Sequence, residues 1–68
     1  MKNYISIDIG GTAIKYGVID QTGTIVTKNQ MKTEAFQGGK SILNKVFDII
    51  EQYKDTYAPI GICISTAG

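Results

Sequence analysis

Between Tyr4 and Ile19 the sequence alternates twice between apolar and polar positions, and the only interruption is Gly10-Gly11-Thr12. In the first run Ile5, Ile7 and Ile9 share one face and Tyr4, Ser6 and Asp8 the other, the period of a half-buried strand. The second run, Ala13 to Ile19, is rich in β-branched and aromatic residues, so the two glycines mark the tip of an antiparallel hairpin. Asp20-Gln21-Thr22-Gly23 is a further turn signal, with Gly23 where a positive φ is needed, and Thr24 to Lys32 returns as a third strand.

From Ser41 to Tyr53 the period changes. Ile42, Leu43, Val46, Phe47, Ile49, Ile50 and Tyr53 form a stripe at helical spacing, which leaves Lys45, Asp48 and Glu51 to the solvent side. Ser41 or Gly39 is positioned to cap this helix. Tyr57-Ala58-Pro59 marks the exit, and Pro59 to Ser65 offers a short strand with Ile60, Ile62 and Ile64 on one face. The order β-β-β-α-β predicts an α/β unit with a mixed four-stranded sheet. The helix acts as the crossover to a last strand parallel to the first and lying beside it. One sheet face receives the helix stripe, and nothing in these residues covers the other.

At 68 residues the chain is one domain or less, and a fold of this size is marginal without a staple or a partner. Cys63, the single cysteine, has no internal partner for a disulfide, and the absence of His removes the usual zinc sets. A net charge of +1 provides no field to recruit nucleic acid or an anionic membrane. No apolar run approaches the roughly 20 residues that cross a bilayer, and Lys2 leads straight into strand-like sequence, so a cytoplasmic location is expected.

The chemistry-bearing stretch is Asp8-Ile9-Gly10-Gly11-Thr12. Without side chains at Gly10 and Gly11 a ligand can approach the main chain, and amides at the hairpin tip can meet phosphate oxygens. Thr12 adds a hydroxyl donor. Asp8, at the strand end, suits a hydrated Mg²⁺, which keeps most of its waters and uses one or two protein carboxylates. On spacing alone the commoner explanation is a plain tight turn with a solvated strand-end aspartate. Lys15 is within reach of the same region, although an exposed strand lysine is the more frequent description.

Other features are weaker. Gly39-Lys40-Ser41 sits between strand and helix as a P-loop would, but the pattern G-x-x-x-x-G-K-[ST] fails because Glu34 occupies its first glycine. Cys63, flanked by Ile62 and Ile64 and without a base to activate it, reads as a buried, unreactive thiol. Phe47, Tyr53 and Tyr57 read as packing residues, since no basic patch accompanies them.

The run Ile5-Ser6-Ile7-Asp8-Ile9-Gly10-Gly11-Thr12, followed by Ile14-Lys15-Tyr16-Gly17-Val18-Ile19-Asp20, resembles the N-terminus of the repressor/open-reading-frame/kinase (ROK) sugar kinases. The Asp-x-x-Gly turn, the third strand, the helix and the ending Gly61-Ile62-Cys63-Ile64-Ser65-Thr66-Ala67-Gly68 follow in family order, so the resemblance spans the chain. It implies an actin-like ATPase (ribonuclease H-like) lobe, with residues 1–68 as its first part and no second domain. It also implies that Asp8, Gly10, Gly11 and Thr12 form the first phosphate motif for ATP and Mg²⁺. By the same resemblance Gly68 borders the sugar through its backbone. Ala13 departs from the lysine that many members carry, which leaves Lys15 as the nearest basic side chain.

The resemblance further implies that the aspartate general base, the sugar-binding His and Glu, the zinc-binding cysteines and the second lobe lie downstream of residue 68. A chain of these residues alone is then expected to be inactive, because one phosphate turn supplies little of the positioning that phosphoryl transfer requires. A sugar-responsive transcriptional regulator of the same family is the alternative. It would carry a DNA-binding helix-turn-helix ahead of this strand, whereas Met1 lies seven residues before Asp8. A small interaction module with a purely structural glycine turn is a third reading. The uncovered sheet is expected to drive self-association.

Overall fold

The computed structural model describes residues 2–66. Strands β1 (Asn3–Ile9), β2 (Ala13–Asp20) and β3 (Ile25–Lys32) form the meander, and a single 3-10 turn (Ala35–Gln37) leads into helix α1 (Gly39–Tyr57) and strand β4 (Gly61–Thr66). The sheet order is β3-β2-β1-β4, with β4 parallel to β1 and the other pairs antiparallel. The crossover therefore returns the chain beside its first strand, as its β-α-β spacing predicts.

Register explains which residues enter the core. Ile5 pairs with Val18, Ile7 with Tyr16 and Ile9 with Ile14, so one face of the β1–β2 hairpin is apolar along its length. Onto that face α1 lays Val46, Ile49 and Tyr53, and these close a core with Ile5, Ile7, Ile14 and Val18. Tyr16 and Tyr57 flank the Tyr53 ring at centroid distances of 6.1 and 5.7 Å. Among the described residues no helix covers the Tyr4, Ser6 and Asp8 side of the sheet.

Three expectations about α1 are corrected. Its N-cap is Gly38, in a positive-φ conformation at 91°, and neither Ser41 nor Gly39 caps it. Leu43 and Phe47 stay exposed because α1 packs on β1 and β2 but not on β4, which narrows the buried stripe. Lys45 does not point to solvent: it reaches back to the end of β3. The other helix end follows from local chemistry. Ala58 turns left-handed at φ 45°, and the Asn3 side-chain amide donates to the orphan carbonyl of Tyr57 at 3.1 Å.

Strand β4 is an edge, and α1 leaves it bare on both sides. Ile62 and Ile64 share the helix face with Ile5 and Ile7 yet remain largely exposed, and Cys63 is exposed on the opposite face. The expectation of a buried thiol is thus overturned, because alternation identifies a strand without saying what covers it. No helix among the described residues is long and apolar enough to cross a membrane.

Candidate functional site

The β1–β2 connection and the C-terminal ends of the parallel strands β1 and β4 meet at one end of the sheet. Asp8 lies in register between Lys15 of β2 and Ser65 of β4. Its carboxylate is exposed and accepts a hydrogen bond from Ser65 Oγ at 3.1 Å. Asp8, Lys15 and Ser6 line one end of a shallow trough of about 600 Å³ on the helix-free face, which continues past Gly17 to Lys28 and Gln30. Sequence spacing linked Asp8 to the turn and to Lys15, and the fold adds Ser65, 57 residues away.

The turn is held tightly. The Gly10 amide donates to Ala13 O at 2.9 Å, and a Cβ on Gly10 would stand 2.9 Å from the same oxygen. The fold itself therefore demands glycine at position 10, and the Gly10 amide is spent inside the turn. Neither Gly10 nor Gly11 has a positive φ, so the primed hairpin turns that usually explain such a pair are not formed here. Gly11 differs from its neighbour: a Cβ there would meet nothing within 4 Å. Among the described residues no hydrogen bond uses the amides of Gly11 or Thr12. A side-chain-free residue facing open space, next to unengaged amides and a carboxylate, is what close approach by a phosphate requires.

Behind the turn stands a residue that sequence reasoning did not single out. Thr33, 1% exposed, donates its hydroxyl to Gly10 O at 2.8 Å and its amide to Thr12 O at 3.0 Å. Lys45 reaches the same segment from α1, donating to Lys32 O at 3.0 Å, Thr33 O at 2.9 Å and Glu34 Oε1 at 2.8 Å. These are three partners for the three protons of its ammonium. The Lys45 hydrogen bond and charge hold the Glu34 carboxyl below its ordinary range. Glu34, which breaks the P-loop pattern, thus has a structural role, in a left-handed conformation at φ 52°.

The residues present fit a mostly hydrated magnesium ion beside Asp8, whose second carboxylate oxygen has no partner among the described residues. No cluster of three or more His, Cys, Asp or Glu side chains occurs among the described residues, so a site here would rely on water and phosphate oxygens. Gly68, expected at the sugar, lies outside the described residues.

An antiparallel meander, a crossover helix and a parallel return strand with an acidic β1 end and a glycine turn define the opening of an actin-like ATPase lobe, an α/β fold. The sequence model of the ROK family matches residues 4–68, and the chain belongs to that family. It is 56% identical over 62 residues to the uncharacterized protein CPE0188 of Clostridium perfringens, covering 91% of this chain and 21% of that one. Among solved structures it resembles a ROK family glucokinase from Streptomyces griseus, in complex with glucose and AMPPNP, with a TM-score of 0.84 and 26% identity. That match covers 97% of this chain and 20% of the glucokinase. The Listeria monocytogenes protein Lmo2764, a candidate N-acetylmannosamine kinase, matches with a TM-score of 0.79 and 29% identity over 97% of this chain and 21% of its own. The chain spans about a fifth of the length of the relatives it matches.

Proposed function

We propose that residues 1–68 are the first part of the nucleotide-binding lobe of an ATP-dependent sugar kinase whose substrate is a hexose or hexose derivative. The open space at Gly11, beside the unengaged amides of Gly11 and Thr12, carries this reading. Nothing in the fold requires glycine there, whereas an incoming phosphate does. The glucokinase relative with glucose and AMPPNP, and the candidate N-acetylmannosamine kinase, supply the ligand class.

In this reading Gly10 keeps the turn narrow, and the Gly11 and Thr12 amides with the Thr12 hydroxyl donate to phosphate oxygens. Each such bond to a charged acceptor is worth about 1.5–3 kcal/mol. Asp8 holds the water shell of Mg²⁺, and Ser65 fixes the carboxylate rotamer through its hydroxyl. When bound, the ion neutralises charge on the phosphate oxygens during transfer. Lys15, across the strand pair from Asp8, adds a cation at the same end of the trough. Gly68 is assigned to the sugar side through its backbone.

Substitution at Gly11 separates this function from the fold. In the full-length protein Gly11→Ala should leave the thermal midpoint unchanged, because the added methyl meets open space. It should weaken Mg-ATP binding by about tenfold or more, the loss of one charge-assisted contact. Asp8→Ala should lower turnover with a hexose by about two orders of magnitude or more while the protein stays folded. Unchanged nucleotide affinity in the Gly11 variant, measured calorimetrically, would refute the assignment.

A further inference from the structure

Thr33 hydrogen-bonds to two carbonyls of the turn, whereas the exposed Asp8 is hydrogen-bonded to Ser65. A trans peptide points its C=O and N–H in opposite directions, and no cis bond occurs among the described residues. With Gly10 O drawn onto the Thr33 hydroxyl, the Gly11 N–H is aimed away from Thr33. With Thr12 O drawn onto the Thr33 amide, the same holds for the Ala13 N–H. The two carbonyls are turned onto Thr33, and the Gly11 and Ala13 donors point the opposite way. Thr33 is itself held: its own carbonyl accepts from Lys45, whose remaining donors go to Lys32 O and Glu34.

We infer that Thr33, anchored by Lys45, is a positioning residue that presets the Gly10–Ala13 turn for an anion, acting on the peptide planes without touching the ligand. This rests on the phosphate-turn reading above. The physical gain is preorganisation: peptide planes already oriented need no rearrangement when the phosphate arrives, so binding loses less to ordering. The arrangement also makes α1 a support of the turn, since Lys45 of the helix hydrogen-bonds to Lys32, Thr33 and Glu34 directly behind it.

The test compares Thr33→Val, which keeps the shape and loses the hydroxyl, with Thr33→Ser, which keeps the hydroxyl, in the full-length protein. The first readout uses no nucleotide: amide NMR shifts and hydrogen exchange at Gly10, Gly11 and Thr12. The second is the KM for Mg-ATP against kcat. Thr33→Val should shift the Gly11 amide and raise the ATP KM by about tenfold with a smaller change in kcat, and Thr33→Ser should restore both. Lys45→Met should shift the same amides in the same direction, and it carries the test if Thr33→Val does not fold. Unmoved turn amides in Thr33→Val, or moved amides with unchanged ATP KM, would overturn the inference. If ATP leaves the wild-type Gly11 amide unmoved, the phosphate-turn reading fails, and the positioning role fails with it even where the clamp itself is observed.

Discussion

Gly17 of β2 stands so close to β3 that a Cβ on it would fall on the Thr27 carbonyl and within 2.9 Å of the Lys28 Cα. The approach sits next to the irregularity in the β2–β3 ladder between Val18 and Ile19, where β3 slips its register against β2. The neighbours at fault are backbone, which cannot swing aside as a side-chain tip would. Gly17→Ala should therefore force the two strands apart and cost about 1–3 kcal/mol or more. A fall of several degrees in the thermal midpoint of the full-length protein would register this, and an unchanged midpoint would contradict it.

Tyr53 presents the opposite case, a group the core holds at a cost. Its ring is packed between Tyr16 and Tyr57, and its hydroxyl is buried with no hydrogen-bond partner among the described residues. Desolvating a hydroxyl without a partner costs about 1–3 kcal/mol. Tyr53→Phe keeps the ring contacts and removes the stranded oxygen. It should leave stability unchanged or raise it by about 1 kcal/mol, and a clear loss in thermal unfolding would show that the hydroxyl has a partner in solution.

The Asp20 carboxylate organises the β2–β3 turn. Its Oδ1 accepts from the Thr22 hydroxyl at 2.6 Å and from the amides of Thr22 and Thr24 at 2.9 and 3.1 Å. The Thr22 hydroxyl, followed by the amides, holds the carboxyl below its usual value of 3.8, outweighing the effect of partial burial. Because the folded value is the lower one, this stabilisation is complete at neutral pH and is lost as pH falls below about 4 through the folded value. Asp20→Asn should flatten the dependence of the thermal midpoint on pH between about 5 and 3. The Glu34–Lys45 pair contributes with the same sign, so some slope should persist in that variant. An equally steep profile in Asp20→Asn would assign the acid sensitivity elsewhere.

The parts of this fold written in the sequence are those governed by local period. The Ile5, Ile7, Ile9 alternation places the core face of β1, and Gly23 does adopt the positive φ, at 86°, that its turn position demands. The turn itself was visible as Asp8-Ile9-Gly10-Gly11-Thr12, but period and spacing could not tell its two glycines apart. Gly10 is explained by the Ala13 carbonyl and Gly11 is not explained by the fold at all. Thr33 left no local signal, because its partner Gly10 lies 23 residues away in sequence. Helical spacing points Lys45 to solvent, but a long stem can leave the face its Cα occupies, and its side chain is only 18% exposed. The apolar neighbours of Cys63 suggest burial, but whether a strand is central or at an edge depends on what pairs beyond it, and β4 is an edge.

The two sheet edges are built differently, and the difference predicts how the polypeptide behaves alone. Edge strand β3 begins with the exposed Ile25 and Val26, but from Lys28 on it carries Lys28, Asn29, Gln30 and Lys32, exposed polar and charged groups of the kind that discourage strand addition. Edge strand β4 carries Ile62 and Ile64, about half exposed at 44% and 53%, and α1 adds the exposed Leu43 and Phe47. Unpaired backbone beside uncovered apolar side chains favours pairing with another strand. Produced as residues 1–68 alone, the polypeptide should associate through β4, giving dimers or larger species in sedimentation velocity. Lysine at both Ile62 and Ile64 should shift it towards monomer, since charge on that face opposes burial, whereas lysine at Thr27 on β3 should leave the association intact. A well-ordered wild-type monomer at micromolar concentration would show that the β4 edge does not recruit a partner strand.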